Sequence, residues 1–316
     1  MGYVPGQQSN NNMSRQANDL RSAMKGFGTN EQALISVLVR LNPLDINSVK
    51  TAYRSQHHRD LLDDVHGETS GYFREGLEAI IRGPLEQDCY VLCHAIKGAG
   101  TKESALNDVL LGRSNADMNA IKQYYQQKYR KSLESDVKGD LSMKTERLFD
   151  MVLSARRNEE STPVNHQQVE QDVQDIYRAT EGRAGADQLI VCQIMSQRSN
   201  GQIRAIGASY KQKYHRTLQQ VFEREFSGHM KDALVFMAGV GEDPAKNDAD
   251  MLNAAMAGAG TKDQALVRRI VAMHWDPQRL QQAKGAYRHY YKRELRQVVE
   301  SETSGDYKKL MSACVG

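Results

Sequence analysis

Four segments of the 316-residue chain carry one pattern, and few folds can hold it. They run from Tyr53 to Glu68, Tyr125 to Asp140, Tyr210 to Glu225 and Tyr287 to Glu302. Four residues after each tyrosine stands a ring: His57, Tyr129, Tyr214 or Tyr291. A base follows two later (Arg59, Lys131, Arg216, Arg293), and a leucine two after that (Leu61, Leu133, Leu218, Leu295). Seven residues past every leucine comes a carboxylate. The leucines lie 72, 85 and 77 residues apart. Self-similarity at such a period means one supersecondary unit repeated and packed on its neighbours, because a single unit cannot bury its apolar faces alone.

Upstream of each segment lies a glycine loop. The loops read Lys25-Gly26-Phe27-Gly28-Thr29, Lys97-Gly98-Ala99-Gly100-Thr101, Arg183-Ala184-Gly185-Ala186 and Ala257-Gly258-Ala259-Gly260-Thr261. From the last glycine to the carboxylate is 40 residues in the first three repeats and 42 in the fourth. The two extra residues are expected between Met273 and Leu280.

Between these landmarks the pattern is helical. Leu34, Ile35, Val37, Leu38 and Leu41 recur near a 3.6-residue period, as do Phe73, Leu77, Ile80 and Ile81. Five of the six prolines fall between apolar-periodic stretches, where helices tolerate them. Thr29 with Gln32, and Thr261 with Gln264, fit capping boxes that would end each loop and start a helix. The expected architecture is all-α, with four repeats of four or five short helices. Boundaries are expected at 1–12 for a flexible Gly/Gln/Asn tail, 13–82, 83–155, 167–241 and 242–316 for the repeats, and 156–166 for a linker. That polar linker is expected to divide the chain into two halves.

Composition removes several classes. The net charge is +3, from 42 Lys and Arg against 39 Asp and Glu, too balanced to argue for nucleic acid. Mean hydropathy is −0.65. The longest apolar run, Ala233 to Val240, is far short of the roughly 18 residues that a spanning helix needs. Residues 1–20 contain no apolar signal segment, and Gly6 breaks a myristoylation motif. Four cysteines make neither a disulfide framework nor a CxxC site, so Cys89 and Cys93 read as buried thiols.

The chemistry of the loops points to a hard cation. Glycine lets successive carbonyls turn toward one point, and a carboxylate from a distant helix end adds charge and oxygens. Calcium accepts six to eight oxygen ligands in irregular geometry, whereas magnesium demands a tight octahedron. With one carboxylate per cage the affinity should be weak, on the order of 10⁻⁴ M. Water-filled positions in such a cage can accept a phosphate oxygen, so several loops on one surface gain by effective concentration.

At this point the chain resembles the annexin family, over residues 13–316. The resemblance rests on the Met/Ile-x-Gly-x-Gly-Thr loops, the distant acidic caps, and the endings Glu68-Thr-Ser-Gly-Tyr and Glu302-Thr-Ser-Gly-Asp-Tyr. It implies five helices per repeat in a curved disc, with Ca²⁺ as cofactor and reversible binding to acidic phospholipid. Repeat 1 would use carbonyls of Met24, Gly26 and Gly28 with Glu68. Repeat 2 would use Ile96, Gly98, Gly100 and Asp140, and repeat 4 Met256, Gly258, Gly260 and Glu302. Repeat 3 departs from the pattern, with Arg183 for the first glycine and Ala186 for the threonine, leaving Arg183, Gly185 and Glu225 as weaker metal candidates. Glu31, Glu103 and Asp263 stand where the family places secondary sites, or serve only as acidic first-turn residues. The resemblance also marks Asp88, Arg113 and Arg268 as a central polar channel. Val91 stands there where an acid is common, and a structural ion-pair network is the plainer reading. The same resemblance implies a cytoplasmic protein that becomes peripheral on membranes as calcium rises. It would be a monomer in solution, with room for assembly on the membrane and for a protein partner of the tail.

Other readings compete at particular motifs. The bases beside the repeated aromatics, such as Lys128 to Lys131, could serve polyanions, but recurrence at helical spacing favours core rings with solvated bases. Gly98 to Lys102 lacks the order and preceding strand of a phosphate loop. No H-E-x-x-H or nucleophile elbow occurs, so no enzyme is expected. Asp63 and Asp64 read as a solvated acidic face, and Asp45 and Asp60 as caps or surface groups. The surviving alternative is a calcium-independent helical-repeat scaffold, binding polyanions or RNA. It has no need of paired glycines at a fixed distance from an acid.

Overall fold

A computed structural model describes residues 3, 6–97, 102–139, 141, 143–182, 185–258 and 260–316. These residues form nineteen helices and no strand. Repeat 1 contains α1 (Ser14–Ala23), α2 (Glu31–Leu38), α3 (Pro43–His57), α4 (Leu61–Glu68) and the first half of α5 (Gly71–Ile96). The second half of α5 opens repeat 2, because Gly83 at φ +72° and Pro84 kink the helix between them. Repeat 2 continues with α6 (Glu103–Leu110), α7 (Asn115–Tyr129), α8 (Leu133–Lys138) and α9 (Met143–Leu153). Repeat 3 is α10 (His166–Ala179), α11 (Gln188–Gln197), α12 (Asn200–Tyr214), α13 (Leu218–Glu225) and α14 (Gly228–Glu242). Repeat 4 is α15 (Pro244–Met256), α16 (Asp263–His274), α17 (Pro277–Tyr291), α18 (Leu295–Glu302) and α19 (Gly305–Val315). Each repeat thus holds five helical segments. Helix α16 has 12 residues where α2 has 8; two of the four are the extra residues of repeat 4, and the other two match Val39 and Arg40, which form a turn after α2.

The helix starts follow local chemistry. Asn42, Asp60, Ser114, Ser132, Asn165, Ser199 and Asp276 each accept a backbone N–H from the first turn of the helix they precede. Pro43 and Pro277 occupy first-turn positions, where the missing N–H costs nothing. The expected capping boxes at Thr29 and Thr261 do not form. Asn30 caps α2, Lys262 precedes α16 without a side-chain cap, and both threonine hydroxyls turn elsewhere.

Two compact units result, and they are not the halves expected from the sequence. Unit 1 takes its residues from 1–88 and 248–316, so repeat 4 packs with repeat 1; unit 2 spans 89–247. In unit 1 one apolar cluster runs from Leu20 and Leu34 to Val299 and Leu310, with α2 packed on α19. In unit 2, α11 packs on α9 and α14 packs on α6. The linker does not separate repeats 2 and 3 because it is tied to both. Arg157 donates to the carbonyls of Arg113 (3.3 Å) and Arg198 (3.1 Å), and Asn115 holds the Arg157 backbone.

The repeated tyrosines are core groups, each at most 1% exposed. A buried hydroxyl needs a partner, and the four repeats supply it in two ways. Tyr53 donates to Asp64 (2.5 Å) and Tyr125 to Asp136 (2.9 Å), both carboxylates three residues after the helix-opening leucine. Val221 and Val298 stand at that register in repeats 3 and 4. There Tyr210 donates to Glu181 (2.8 Å) and Tyr287 to Asn253 (3.1 Å). Asp64 is therefore not part of a solvated acidic face. Burial opposes its charge, but Arg59, Tyr53 and Arg21 together hold its carboxyl below the usual range. Asp60 caps α4 as expected, while Asp45 is buried and accepts from Asn11 at 3.0 Å. The terminal segment follows α3: Gln7 accepts from Asn47, Gln8 donates to Thr51, and Ser9 N–H donates to Ser48 at 2.9 Å. All four cysteines are buried free thiols.

The third helix of every repeat ends on a base in the left-handed region: His58 (φ 53°), Arg130 (58°), His215 (57°) and Lys292 (56°). An L-residue there costs roughly 1–2 kcal/mol, and glycine is the usual occupant. Part of that cost returns through the larger unfolded-state entropy of glycine. His215→Gly and Lys292→Gly are each expected to raise the unfolding free energy by about 0.5 kcal/mol. Urea unfolding followed by circular dichroism checks this, and a loss of stability would contradict it.

His229, at the start of α14, supplies a pH-dependent term. Its Nε2–H donates to Asn107 Oδ1 (2.8 Å), its ring packs on Phe149, and Nδ1 lies 3.7 Å from Glu103. Burial lowers its pKa from 6.5 to about 4, outweighing the attraction of Asp232. Burial and Asp232 push the Glu103 carboxyl up. A histidine held neutral stabilises fully above pH 6.5, and that stability is lost as pH falls toward about 4. The urea midpoint should therefore fall across this window, and His229→Gln should flatten the slope. An unchanged slope would contradict the assignment.

Candidate metal centre

The loops are built from glycine conformation and pinned at both ends. Gly26 (φ 108°), Gly28 (81°), Gly258 (109°) and Gly260 (105°) adopt backbone angles that side chains resist. The base of each loop closes on an alanine carbonyl at the end of the preceding helix. Asn30 N–H donates to Ala23 (2.8 Å), Lys102 to Ala95 (3.0 Å), Asp187 to Ala179 (2.6 Å) and Lys262 to Ala255 (2.8 Å).

Among the described residues the remote acids meet the loops in repeats 1 and 4. Thr29 Oγ1 lies 3.1 Å from the Glu68 carbonyl and 3.3 Å from its Oε2. Thr261 Oγ1 lies 3.1 Å from the Glu302 carbonyl and 3.3 Å from its Oε2. The residue next to the second glycine is thus in contact with a carboxylate about forty positions away, in the same geometry twice. Each acid ends a helix fixed by the next threonine. Thr69 and Thr303, both buried, return their hydroxyls to Val65 and Val299 at 2.6 Å. Gly71 (φ 59°) and Gly305 (58°) then turn the chain into the next helix. Glu68 is exposed and Glu302 half-buried, so both can reach a ligand.

The remaining candidates divide. The side chains of Met24 and Met256 are buried and Ile96 is half-buried, so these residues could serve only through their carbonyls. Gly98, Gly100, Asp140 and Arg183 lie outside the described residues. In repeat 3, Gly185 keeps φ 83°, but Ala186 has no hydroxyl, and Glu225 pairs with Arg224 at 3.5 Å. Glu181 at the head of that loop is taken by Tyr210 and Arg216. Glu31, Glu103 and Asp263 are the first residues of α2, α6 and α16. Of the channel residues, Asp88 is buried and accepts the Tyr3 hydroxyl, Arg113 donates to Val109 (2.7 Å), and Arg268 is half-buried on α16. Asp172 in repeat 3 stands at the register of Asp88 and takes Arg198 through two bonds of 2.7 and 2.9 Å. An acid at this register can therefore be a structural partner.

Two features escaped the sequence reading. One is the threonine–acid contact, although threonine occurs in three loops and is lost in the degenerate one. The other is Phe27, which is 113% exposed between Gly26 and Gly28. Among the other large apolar groups described as exposed, none exceeds 45%. An aromatic between two glycines in an otherwise polar loop was the available signal.

The donor set suits a hard cation: backbone carbonyls at glycine turns and one carboxylate per loop. Among the described residues no group of three His, Cys, Asp or Glu could hold a metal. Among the same residues no helix is long and apolar enough to cross a membrane.

Comparison with known proteins decides the lineage. The family model described as Annexin matches residues 15–80, 87–151, 171–237 and 247–314. The chain belongs to the annexin family. It is 40% identical over 298 residues to Annexin C1 of Cryptococcus neoformans, covering 93% of this chain and 63% of that protein. The chain spans about three fifths of the length of the first curated relatives it matches. The solved structure of annexin III superposes with a TM-score of 0.91 at 28% identity, covering 100% of this chain and 98% of that one. A calcium-bound annexin (Sm)1 superposes at 0.82 with 27% identity, covering 99% and 93%. Annexins are as a class calcium-dependent phospholipid-binding proteins rather than enzymes, and four repeats of α-helices are their fold.

The threonine tether carries a prediction. Thr29→Val with Thr261→Val removes one hydrogen bond from each cap, worth about 1 kcal/mol. The calcium needed for half-maximal response should rise roughly fivefold per loop, with the helical signal unchanged. Terbium luminescence titration measures this, and an unchanged midpoint would show that the tether does not order the cage.

Proposed function

We propose that this annexin binds acidic phospholipid membranes reversibly, through calcium held at the loops of repeats 1, 2 and 4. The observation that supports it most is the twice-repeated contact between a glycine loop and its distant acid. In repeat 1 the carbonyls of Met24, Gly26 and Gly28 with the Glu68 carboxylate would hold the cation. Met256, Gly258, Gly260 and Glu302 would do so in repeat 4, and Ile96, Gly98, Gly100 and Asp140 in repeat 2. Bound calcium supplies the positive charge that a phosphate headgroup requires. Repeat 3 is the weak member, since Ala186 cannot tether Glu225.

Each cage carries a single carboxylate, so each is weak alone, and attachment depends on several loops meeting one surface together. Such multiplicity makes binding steep in calcium and fully reversible by chelator. Phe27 adds an apolar contact at repeat 1 only, since the equivalent positions are Ala99 and Ala259. An aromatic ring at the headgroup level gains from partial burial without crossing the bilayer. The protein would thus be peripheral, on the cytoplasmic face of membranes, and would carry no catalytic residue.

Sedimentation with phosphatidylserine vesicles across a calcium titration tests the reading. Glu68→Gln, Asp140→Asn and Glu302→Gln combined should raise the calcium midpoint at least tenfold while circular dichroism stays unchanged. Phe27→Ala should weaken binding about fivefold, from roughly 1 kcal/mol of interfacial burial. Calcium-dependent sedimentation that survives the triple variant would contradict the proposal. Binding indifferent to calcium in the parent would favour a scaffold that uses the bases instead.

A further inference from the structure

Repeat 3 departs from the other repeats around its glycine loop, and the departures run one way. Arg183 replaces the first glycine and Ala186 the threonine. Gln188 opens α11 where Glu31, Glu103 and Asp263 open α2, α6 and α16. Leu189 follows where Gln32, Ser104 and Gln264 stand, and it is 42% exposed. Arg224 precedes the acid, where Gly67, Gly139 and Ser301 precede theirs. Glu181 and Asp187 are added acids, but both are half-buried and committed: Glu181 to Tyr210 and Arg216, Asp187 to the N–H of Leu189 as the cap of α11.

In three ion pairs around this loop the base is the outer partner. Arg178 is 70% exposed against 33% for Asp175, Arg216 45% against 10% for Glu181, and Arg224 62% against 19% for Glu225. The groups share one neighbourhood. Gly182 N–H folds back to the Tyr177 carbonyl at 2.8 Å, and the Tyr177 ring stacks on Tyr214 with centroids 4.1 Å apart. Asp187 N–H donates to the Ala179 carbonyl at 2.6 Å, which brings the start of α11 and Leu189 to the Arg178 end of α10. Burial pushes the Tyr210 hydroxyl up to about 12 and the charge of Glu225 adds to it, so the end of α13 lies beside the same rings. Pairing leaves two guanidinium groups available. Arg178 stands 3.9 Å from its acid and Arg224 3.5 Å from its own, both longer than a charge-assisted hydrogen bond, and exposed pairs of this kind contribute little.

We propose that repeat 3 meets acidic phospholipid without calcium, Arg178 and Arg224 binding headgroup phosphates and Leu189 entering the interface beside them. The inference rests on the membrane reading above and adds a contact that calcium does not control. A planar guanidinium matches phosphate oxygens bidentately, so this loop offers donors where the others offer oxygens to a cation. Each base near an anionic leaflet is worth roughly fivefold in affinity, and partial burial of one leucine about as much. Screening over about 8 Å at physiological salt keeps so few groups from holding the protein alone, which preserves release by chelator.

The test is sedimentation of the full chain with phosphatidylserine vesicles in EGTA at about 10 mM salt, where screening extends to about 30 Å. Binding is expected there, absent on phosphatidylcholine and lost at about 1 M salt. Arg178→Gln with Arg224→Gln should weaken it roughly tenfold or more, and Leu189→Gln roughly fivefold, with circular dichroism unchanged. Arg216 is left in place because it holds Glu181. The combined Glu68→Gln, Asp140→Asn and Glu302→Gln variant should bind in EGTA as the parent does. No sedimentation of the parent in EGTA, with calcium-dependent sedimentation intact, would overturn this inference and leave the calcium reading standing. Sedimentation in EGTA that the arginine and leucine variants leave unchanged would also overturn it. Sedimentation in EGTA that needs Arg178 and Arg224, with no response to calcium, would support this contact and strike the calcium reading alone.

Discussion

A loop of glycines holds a shape only when its ends are pinned, and that constraint organises each repeat. The N–H two residues past the last glycine returns to an alanine carbonyl in all four repeats, through bonds of 2.6 to 3.0 Å. Within that staple Gly26, Gly28, Gly258 and Gly260 take angles that would strain other residues. The threonine beside the second glycine then reaches the acid at the end of the fourth helix. That acid stands where it does because its helix is anchored below, by a leucine at most 2% exposed and by the buried tyrosine of the preceding helix. Surface chemistry and core packing are therefore one structure: the length of the fourth helix sets how far the carboxylate stands from the core.

The four repeats show which parts of this arrangement are fixed and which can be exchanged. The tyrosine is always buried, yet its acceptor moves from Asp64 and Asp136 to Glu181 and Asn253 once valine takes the original register. Repeat 3 recruits its acceptor from the loop itself. Glu181, held by Tyr210 and Arg216, faces the core machinery, and the adjoining loop has lost both its threonine and one glycine. A repeat can thus keep its helical frame while its surface chemistry lapses.

Much of this was legible in the chain, and the exceptions share a cause. Spacing alone gave the all-α fold and the fourfold repeat, because periodicity and glycine position are properties of short sequence windows. It also set the loops and acids at a constant separation. The local pattern at Thr29 and Thr261 fits a helix cap; the competing partner, a carboxylate about forty residues away, is invisible to local rules. Asp64 looked solvated for the same reason, its partners Tyr53 and Arg21 lying on other helices. The linker looked like a divider because it is polar. Its polar groups instead satisfy the turns of repeats 2 and 3, and this groups the chain as repeats 4 with 1 and 2 with 3. Phe27 was visible, but a lone aromatic says nothing of exposure until the backbone is known.

The account rests on the glycine loop and its distant acid forming one cation cage. A crystal structure of the protein grown at millimolar calcium tests this most directly. Cation density is predicted within coordination distance, about 2.3–2.6 Å, of the Gly26 and Gly28 carbonyls and the Glu68 carboxylate, and again at Gly258, Gly260 and Glu302. Ordered loops with no cation at either position would contradict it.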